Sequence, residues 1–348
     1  HPVPFASYSG SQLTAKAKVK LFRRHLYRLA KDKSPLFRTA TAIAHPVDRS
    51  ELSQALRHCQ QLGATPDGKQ ILLFSGGLDT PILRELGRLR EIAFRAVGEG
   101  SGKRRDLDRF DSYYQHLLLW DPQELEIAGA YRLAAAGPLI QERGLAGLYT
   151  NTLFDFDPQL VPILEQGLEL GRSFVQPRYW GKRSLDYLWY GIGAYLRRYP
   201  QYRYLFGPVS LSKELPDAGK ALLIAFYRCY FPAPAGLARH RQPYSADDHL
   251  EVSVHFSGQD YAADFARLKE MLAHMGCSVP TLYKQYSELT EAGGVQFLDF
   301  GTDPDFAGCI DGLVLVDSQR FKPNRRARYL GEAPIEANAT TAMQPNQP

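Results

Sequence analysis

Leu168-Glu169-Leu170-Gly171-Arg172-Ser173-Phe174-Val175, running into Gln176-Pro177-Arg178-Tyr179-Trp180-Gly181-Lys182-Arg183-Ser184, is the stretch that decides the reading of this chain. Its first half is a short apolar run, the pattern of a buried strand. It nevertheless carries a carboxylate at Glu169 and a guanidinium at Arg172, three residues apart. Desolvating an unpaired charge is costly, so charges inside a strand imply either a strand-end salt bridge or a site. A turn rich in cations follows, and then a helix begins at Ser184.

Upstream, a helix is expected over Arg49–Leu62 and a strand in "KQILLF" (69–74). Pro81 opens a helix at its first turn, a position where its missing N–H costs nothing. That helix runs to about Val97 with Leu83, Leu86, Leu89, Arg90, Ala93 and Phe94 along one side, and the glycines at 98, 100 and 102 end it. "YQHLLLWDPQELEIAGAYRLA" (114–134) reads as two strands around Asp121-Pro122-Gln123-Glu124, a hairpin. A polar, loop-like section leads to the opening strand. Downstream come helix Ser184–Arg198, strand Arg203–Val209, helix Asp217–Tyr230, an excursion loop over 232–250, and helices Tyr261–Met275 and Thr281–Thr290. "GGVQFLDF" (293–300) and "DGLVLVD" (311–317) are late strands. Strands and helices alternate around a sheet that contains a hairpin, which makes the fold mixed α/β and not strictly doubly wound.

The 348 residues are 44% hydrophobic and 23% charged, ordinary for a globular protein of one large or two modest domains. A net charge of +5 permits anionic partners without requiring nucleic acid. Cys59, Cys229, Cys277 and Cys309 lack CxxC spacing, which excludes a zinc pattern and favours a reducing compartment. No run of about 18 apolar residues suggests a membrane span, and no signal peptide is visible. "KLFRRHLYRLAK" (20–31) is a basic amphipathic helix with Leu21, His25, Leu26 and Leu29 at helical spacing. Residues before it read as a linker, the start at His1 instead of Met implies a piece of something longer, and "EAPIEANATTAMQPNQP" (332–348) has the composition of a disordered tail.

Several motifs fail. "GEGSGKRR" (98–105) has Val97 where a phosphate loop needs Gly and Arg104 where it needs Ser or Thr, so it reads as a helix terminator. The five-residue His–Asp spacing of glycerolipid acyltransferases occurs at His116/Asp121 and His255/Asp260, in both cases without supporting residues. No GxSxG elbow and no HExxH metal site exists.

One constellation passes. Arg90 and Phe94 share a helix face; Asp108 and Asp111 lie three apart in "DLDRFDSYY"; Arg132 ends the hairpin in "GAYRL"; Glu169 and Arg172 follow. Their order and spacing resemble the acyl-homoserine lactone synthases. "LGRLREIAFRAVGEGSGKRRDLDRFDSYYQHLLLWD", "EIAGAYRL", "ELGRSFVQPRYWGKRSLDYLWYGIGAYL", "LFGPVS" and "VPTLYKQYSELTEAGGVQFLDFGTDPDFAGCIDGLVLVD" resemble the ornithine lipid N-acyltransferases, often labelled hemolysin-like, over roughly 70–330. The resemblance implies a GNAT-type α/β fold with a mixed, largely antiparallel central sheet flanked by helices. It further implies that residues 1–70 are linker and helices following a missing glycerolipid acyltransferase domain, that 71–331 form the N-acyltransferase domain, and that 332–348 are a tail.

The implied reaction moves a (3-hydroxy)acyl chain from an acyl carrier protein to the α-amine of ornithine, the first step of ornithine lipid synthesis. Acylation of glycine, glutamine or lysine, or synthesis of an autoinducer-type signal, would use the same chemistry. A membrane-surface binding module is the non-enzyme alternative, which buried carboxylates argue against. An α-amine of pKa about 8 is mostly protonated at neutral pH and needs a base, for which Glu169 is the candidate, acting through a water. By resemblance the oxyanion donor lies in the Phe174, Val175, Gln176 region, and Arg172 pairs with Asp108 and Asp111. Arg90 and Arg132 either bind the acceptor carboxylate or organise those aspartates, and Phe94 lies beside the substrate. Pro177 and Arg183 break the pyrophosphate cradle of acetyl-CoA users. The expected co-substrate is therefore acyl-phosphopantetheine on a carrier protein, with no bound cofactor and no metal. Arg178, Trp180, Gly181, Lys182 and Arg183, with Lys103, Arg104 and Arg105, would hold the donor and its acidic carrier. Tyr187, Trp189, Tyr190 and Tyr195 would line an acyl tunnel or simply pack in the core. A cytoplasmic enzyme, peripheral on the inner membrane face, is the expected setting.

Overall fold

The computed structural model describes residues 13–37, 40–245, 256–304, 306 and 308–331. Helices α1 (Ala15–Leu29) and α2 (Arg49–Leu56) lead into the hairpin β1 (Gln60–Ala64) and β2 (Gln70–Phe74), then α3 (Pro81–Ala96), β3 (Gln115–Asp121) and β4 (Glu126–Ala135). Next are α4 (Ala136–Arg143), β5 (Phe154–Phe156), α5 (Val161–Glu165), β6 (Gly167–Val175), α6 (Ser184–Arg198), β7 (Tyr204–Leu211) and α7 (Asp217–Tyr230). The rest is β8 (Ala238–His240), α8 (Tyr261–His274), α9 (Thr281–Ser287), β9 (Val295–Asp303), β10 (Cys309–Asp317) and α10 (Pro323–Leu330).

The main sheet has the order β1-β2-β3-β4-β6-β7-β10-β9, and β5 pairs with β8 apart from it. Every neighbouring pair in the main sheet is antiparallel except β6 and β7. Alternation along β3 sends Leu117 and Leu119 to the layer containing α6, and Leu118 and Trp120 to the layer containing α3. The sheet is thus covered on both faces, the mixed and mostly antiparallel arrangement that the resemblance implies.

Two features of β6 open a site in the middle of this sheet. Between Ala130↔Phe174 and Arg132↔Gly171 the register slips by one residue, so Arg172 and Ser173 together oppose Tyr131. Arg172 is the first residue of this bulge and has φ 47°, a left-handed conformation that costs a non-glycine residue roughly 1–3 kcal/mol. On its other edge β6 pairs with β7 only over Gly167–Glu169 against Tyr204–Phe206. Gly207 allows that closest approach, since a Cβ there would lie 2.0 Å from the carbonyl oxygen of Leu170. Beyond it the pairing stops and Pro208 has no N–H to give, so the two strands part.

Several expectations are corrected. The helix expected over Arg49–Leu62 ends at Leu56, and Gln60–Ala64 instead pairs antiparallel with β2. The boundary expected at residue 70 therefore cuts through a hairpin. "QQLGA" shows no apolar alternation because it is a sheet edge, held by its ladder with β2. Helix 20–31 begins earlier, at Ala15 behind the Thr14 cap, and of its expected apolar face only His25 is buried. The section read as a loop before Gly167 contains α4, β5 and α5, and the excursion loop contributes β8. Residues 1–12, the tail 332–348 and the His255 of the second His–Asp spacing lie outside the described residues. Among the described residues no helix is long and apolar enough to cross a membrane.

Candidate active site

The residues singled out in the sequence converge under one end of the sheet as alternating charges. Arg90, fully buried on α3, donates from Nη1 to Asp111 Oδ1 at 2.7 Å and meets His116 Nδ1 at 3.1 Å from Nη2. Arg132 on β4 donates from Nη1 to Asp108 Oδ1 at 2.7 Å and to Asp111 Oδ1 at 3.3 Å. Arg172 lies 3.1 Å from Asp106 and 3.3 Å from Asp108, and donates to the Tyr149 hydroxyl at 3.1 Å. Its guanidinium also lies over the Tyr149 and Phe306 rings. The three-residue spacing of Asp108 and Asp111 has a local reason: each side chain accepts a backbone N–H at the start of the 3₁₀ turn Arg109–Ser112. Burial would raise the Asp111 carboxyl, but Arg90 and Arg132 outweigh it and hold the group well below the usual carboxylate range. His116 is pushed down to about 3 by burial and by Arg90, so it stands neutral in the lattice.

Glu169 lies beside this lattice, held by neutral donors, and lines none of the cavities described below. It is 2% exposed; Tyr114 donates its hydroxyl to Oε2, and the Thr150 N–H donates to Oε1 at 2.7 Å. Tyr114 in turn accepts the Tyr149 N–H at 2.8 Å. Burial raises the Glu169 carboxyl against these hydrogen bonds.

Three cavities lie side by side where β6 leaves β7. An apolar groove of about 600 Å³ runs between α3, the end of β6 and the start of α6, lined by Phe94, Phe174, Val175, Lys182, Leu185 and Leu282 among others. A narrow pocket of about 80 Å³ sits between the parting strands, lined by Tyr131, Arg172, Pro208, Ser210 and Asp311. Phe94, Glu99, Ser173 and Leu282 line both, and so form their boundary. Tyr149, Arg172 and Phe306 are shared between the narrow pocket and an outer cavity of about 650 Å³, whose wall includes Asp106, Asp108, Asp303, Lys103 and Arg241. An elongated apolar groove and a polar cavity thus meet through a constriction, a shape suited to two substrates that react end to end.

The acetyltransferase (GNAT) domain family matches residues 89–190, from α3 into α6. The glycine N(alpha)-acyltransferase of Bacteroides thetaiotaomicron is 31% identical over 83% of this chain and 89% of its own length. The L-ornithine N(alpha)-acyltransferase of Brucella abortus is 32% identical over 77% of this chain and 97% of its own length. The chain belongs to the GNAT N-acyltransferases. A solved CoA-dependent acyl-homoserine lactone synthase aligns with 67% of this chain and 76% of its own at 13% identity, with a TM-score of only 0.28, too low to carry any argument.

Within this GNAT enzyme the expected donor-side residues fall into two groups. Phe174, Val175, Trp180, Gly181 and Lys182 line the apolar groove. Gln176 does not: its N–H donates to Ala128 O at 2.9 Å and its side chain to Ile127 O at 3.0 Å, so it braces β4 and its backbone N–H is not offered to an oxyanion. Arg178 is occupied by Glu124 at 2.6 Å and Glu126 at 3.0 Å on the β3–β4 hairpin. Arg183 lies 4.0 Å from Asp186, and Lys182 lies over the Tyr179 ring. Of the upstream basic run, Lys103 faces the outer cavity, Arg105 donates to Arg84 O at 3.1 Å, and Arg104 uses its carbonyl to hold Ala44. Tyr187, Trp189 and Tyr195 belong to the core beneath the sheet, with Tyr190 packed against it.

The sequence reading missed Glu99, Tyr114, His116, Tyr149, Asp303 and Asp311. Tyr114 and Tyr149 gave no signal beyond their type. Glu99 did have one: a carboxylate between two glycines, directly after a helix whose face carries Arg90 and Phe94.

Proposed function

We propose that this N-acyltransferase moves a (3-hydroxy)acyl chain from the phosphopantetheine thioester of an acyl carrier protein to the α-amine of ornithine, the first step of ornithine lipid synthesis. The observation that carries the reading is the junction of the apolar groove with the polar outer cavity through the narrow pocket. A fatty thioester suits the first. In the wall of the second, Asp303 and the carboxylates that Asp106 and Asp108 share with Arg172 and Arg132 suit the ammonium groups of a diamino acid, and Lys103 and Arg241 suit its carboxylate. On the donor side, α6 begins at Ser184 without a side-chain cap, and its free N–H groups beside Lys182 favour a single phosphate. Lys182 and Arg183 add positive charge for an acidic carrier.

Glycine is the second reading, favoured by the small volume of the pocket where the amine must arrive and by the 31%-identical relative named for it. Peripheral membrane contact is supported by α1, which exposes Val19, Leu26 and Tyr27 among Lys16, Lys18, Lys20, Arg23 and Arg24.

The experiment is thiol release from a 3-hydroxyacyl carrier protein with a panel of amino acids, each product weighed by mass spectrometry. Ornithine is expected to give the fastest release. Faster release with glycine replaces the first reading by the second, and silence with every amine sinks both. Acyl-CoA serving as well as the carrier protein would contradict the carrier assignment.

A further inference from the structure

Building on the proposed function, we infer that Glu99, and not Glu169, is the general base that takes the proton from the acceptor ammonium. Glu99 lies just past α3 and lines both the apolar groove and the narrow pocket, at the boundary where thioester carbonyl and amine must meet. Glu169 lines neither of these, nor the outer cavity, and its two oxygens are occupied by Tyr114 and Thr150.

The partners of Glu99 also leave it free to act. Glu99 is 9% exposed, and its hydrogen bond is to the Ser210 hydroxyl at 3.1 Å, on the strand that parts from β6. No ion pair holds it among the described residues. The groups that face it are largely acidic or neutral: Asp311 and Cys309 from β10 and Tyr283 from α9. Glu214, from the turn after β7, packs at Gly98. Arg172 lines the neighbouring pocket but is engaged by Asp106, Asp108 and Tyr149, and Lys182, which also lines the groove, lies over the Tyr179 ring. A carboxyl in this setting is pushed up to about 7 by burial, against the Ser210 hydrogen bond. A base matched to neutral pH is both ionised enough to act and basic enough to take a proton.

The Glu99 carboxylate takes one proton from the α-ammonium, and the freed lone pair forms the C–N bond to the thioester carbon while its π pair moves to oxygen. When the tetrahedral intermediate collapses, the C–S bond breaks and the departing sulfur gains the second amine proton. The amide keeps one N–H, the thiol leaves on the phosphopantetheine, and Glu99 returns its proton to solvent.

The test compares wild-type enzyme with E99Q and E99D, each checked for a cooperative melt no earlier than that of wild type, on the carrier thioester and the best amino acid. For E99Q, kcat is expected to fall about 10²–10⁴-fold with KM for both substrates changed less than about threefold. The inflection near pH 7 in kcat should vanish, and E99D should recover part of the loss. A kcat within a few-fold of wild type, or the same inflection in E99Q, would overturn the inference. In ¹³C-glutamate NMR one carboxyl is expected to titrate near pH 7 in wild type and to be missing in E99Q; its persistence in E99Q would also overturn the inference. Should wild type release no thiol with any amine, the substrate reading falls separately, and the NMR titration decides whether Glu99 is the tuned carboxyl.

Discussion

Glu169 and Glu99 are both buried glutamates in one domain, and their surroundings differ in every respect that matters for chemistry. Glu169 sits beside a lattice of three arginines and three aspartates, accepts hydrogen bonds on both oxygens, and borders none of the three cavities. Glu99 stands at the seam between two cavities with a serine for a partner. Charge inside a strand signals a constraint but not its kind. A carboxylate whose lone pairs are spoken for holds structure together, while one left open towards a cavity retains the capacity to take a proton.

The widest gap between the two regions should appear in stability. Replacing Arg90 by Leu or Asp111 by Ala leaves an uncompensated buried charge, which typically costs about 3–5 kcal/mol. Urea melts should show it, and variants as stable as wild type would break the idea that the lattice is structural. Glu99 should behave in the opposite sense. Its carboxyl is raised from 4.5 to about 7, so the folded state binds more protons than the unfolded chain between those values. Stability contributed by the protonated form is therefore lost as pH rises from 4.5 to 7. The loss is at most roughly 3–4 kcal/mol. E99Q should flatten that slope and be no less stable than wild type at pH 8; an unchanged slope would contradict it.

A smaller loss is expected for E169Q, about 1–3 kcal/mol, because the amide keeps the shape but cannot accept from both Tyr114 and Thr150 as a carboxylate does. The kcat of E169Q should retain its inflection near pH 7. Smallest is the effect of reversing Lys182 and Arg183 to Glu. A several-fold rise in KM for the carrier thioester is expected, with kcat nearly kept, shrinking as salt screens surface charge within about 10 Å at 0.1 M. No change in KM would remove these residues from the docking surface.

How far the sequence reached follows the same division. The strands of the β3–β4 hairpin and the helices Ser184–Arg198 and Asp217–Tyr230 were legible because their apolar period and end signals are local. β1, α4 and α5 were not, since a short edge strand and short helices owe their form to neighbours far along the chain. Likewise the lattice was legible as a set, because Arg90, Asp108, Asp111, Arg132, Glu169 and Arg172 keep a spacing that can be read. Which of them faces a cavity was not legible. That depends on the bulge at Arg172 and the parting of β6 from β7, and neither leaves a mark beyond Gly207 and Pro208. Glu99 escaped because it sits in a glycine-rich segment that reads as a helix end.

The most direct measurement is kcat against pH for E99Q and E169Q in parallel with wild type, alongside their urea midpoints. The predicted outcome is crossed: E99Q loses turnover and the inflection near pH 7 while melting no earlier, and E169Q melts earlier while keeping the inflection. The reverse pattern, an inflection abolished in E169Q and preserved in E99Q, would contradict the assignment and return the base to the strand Leu168–Val175.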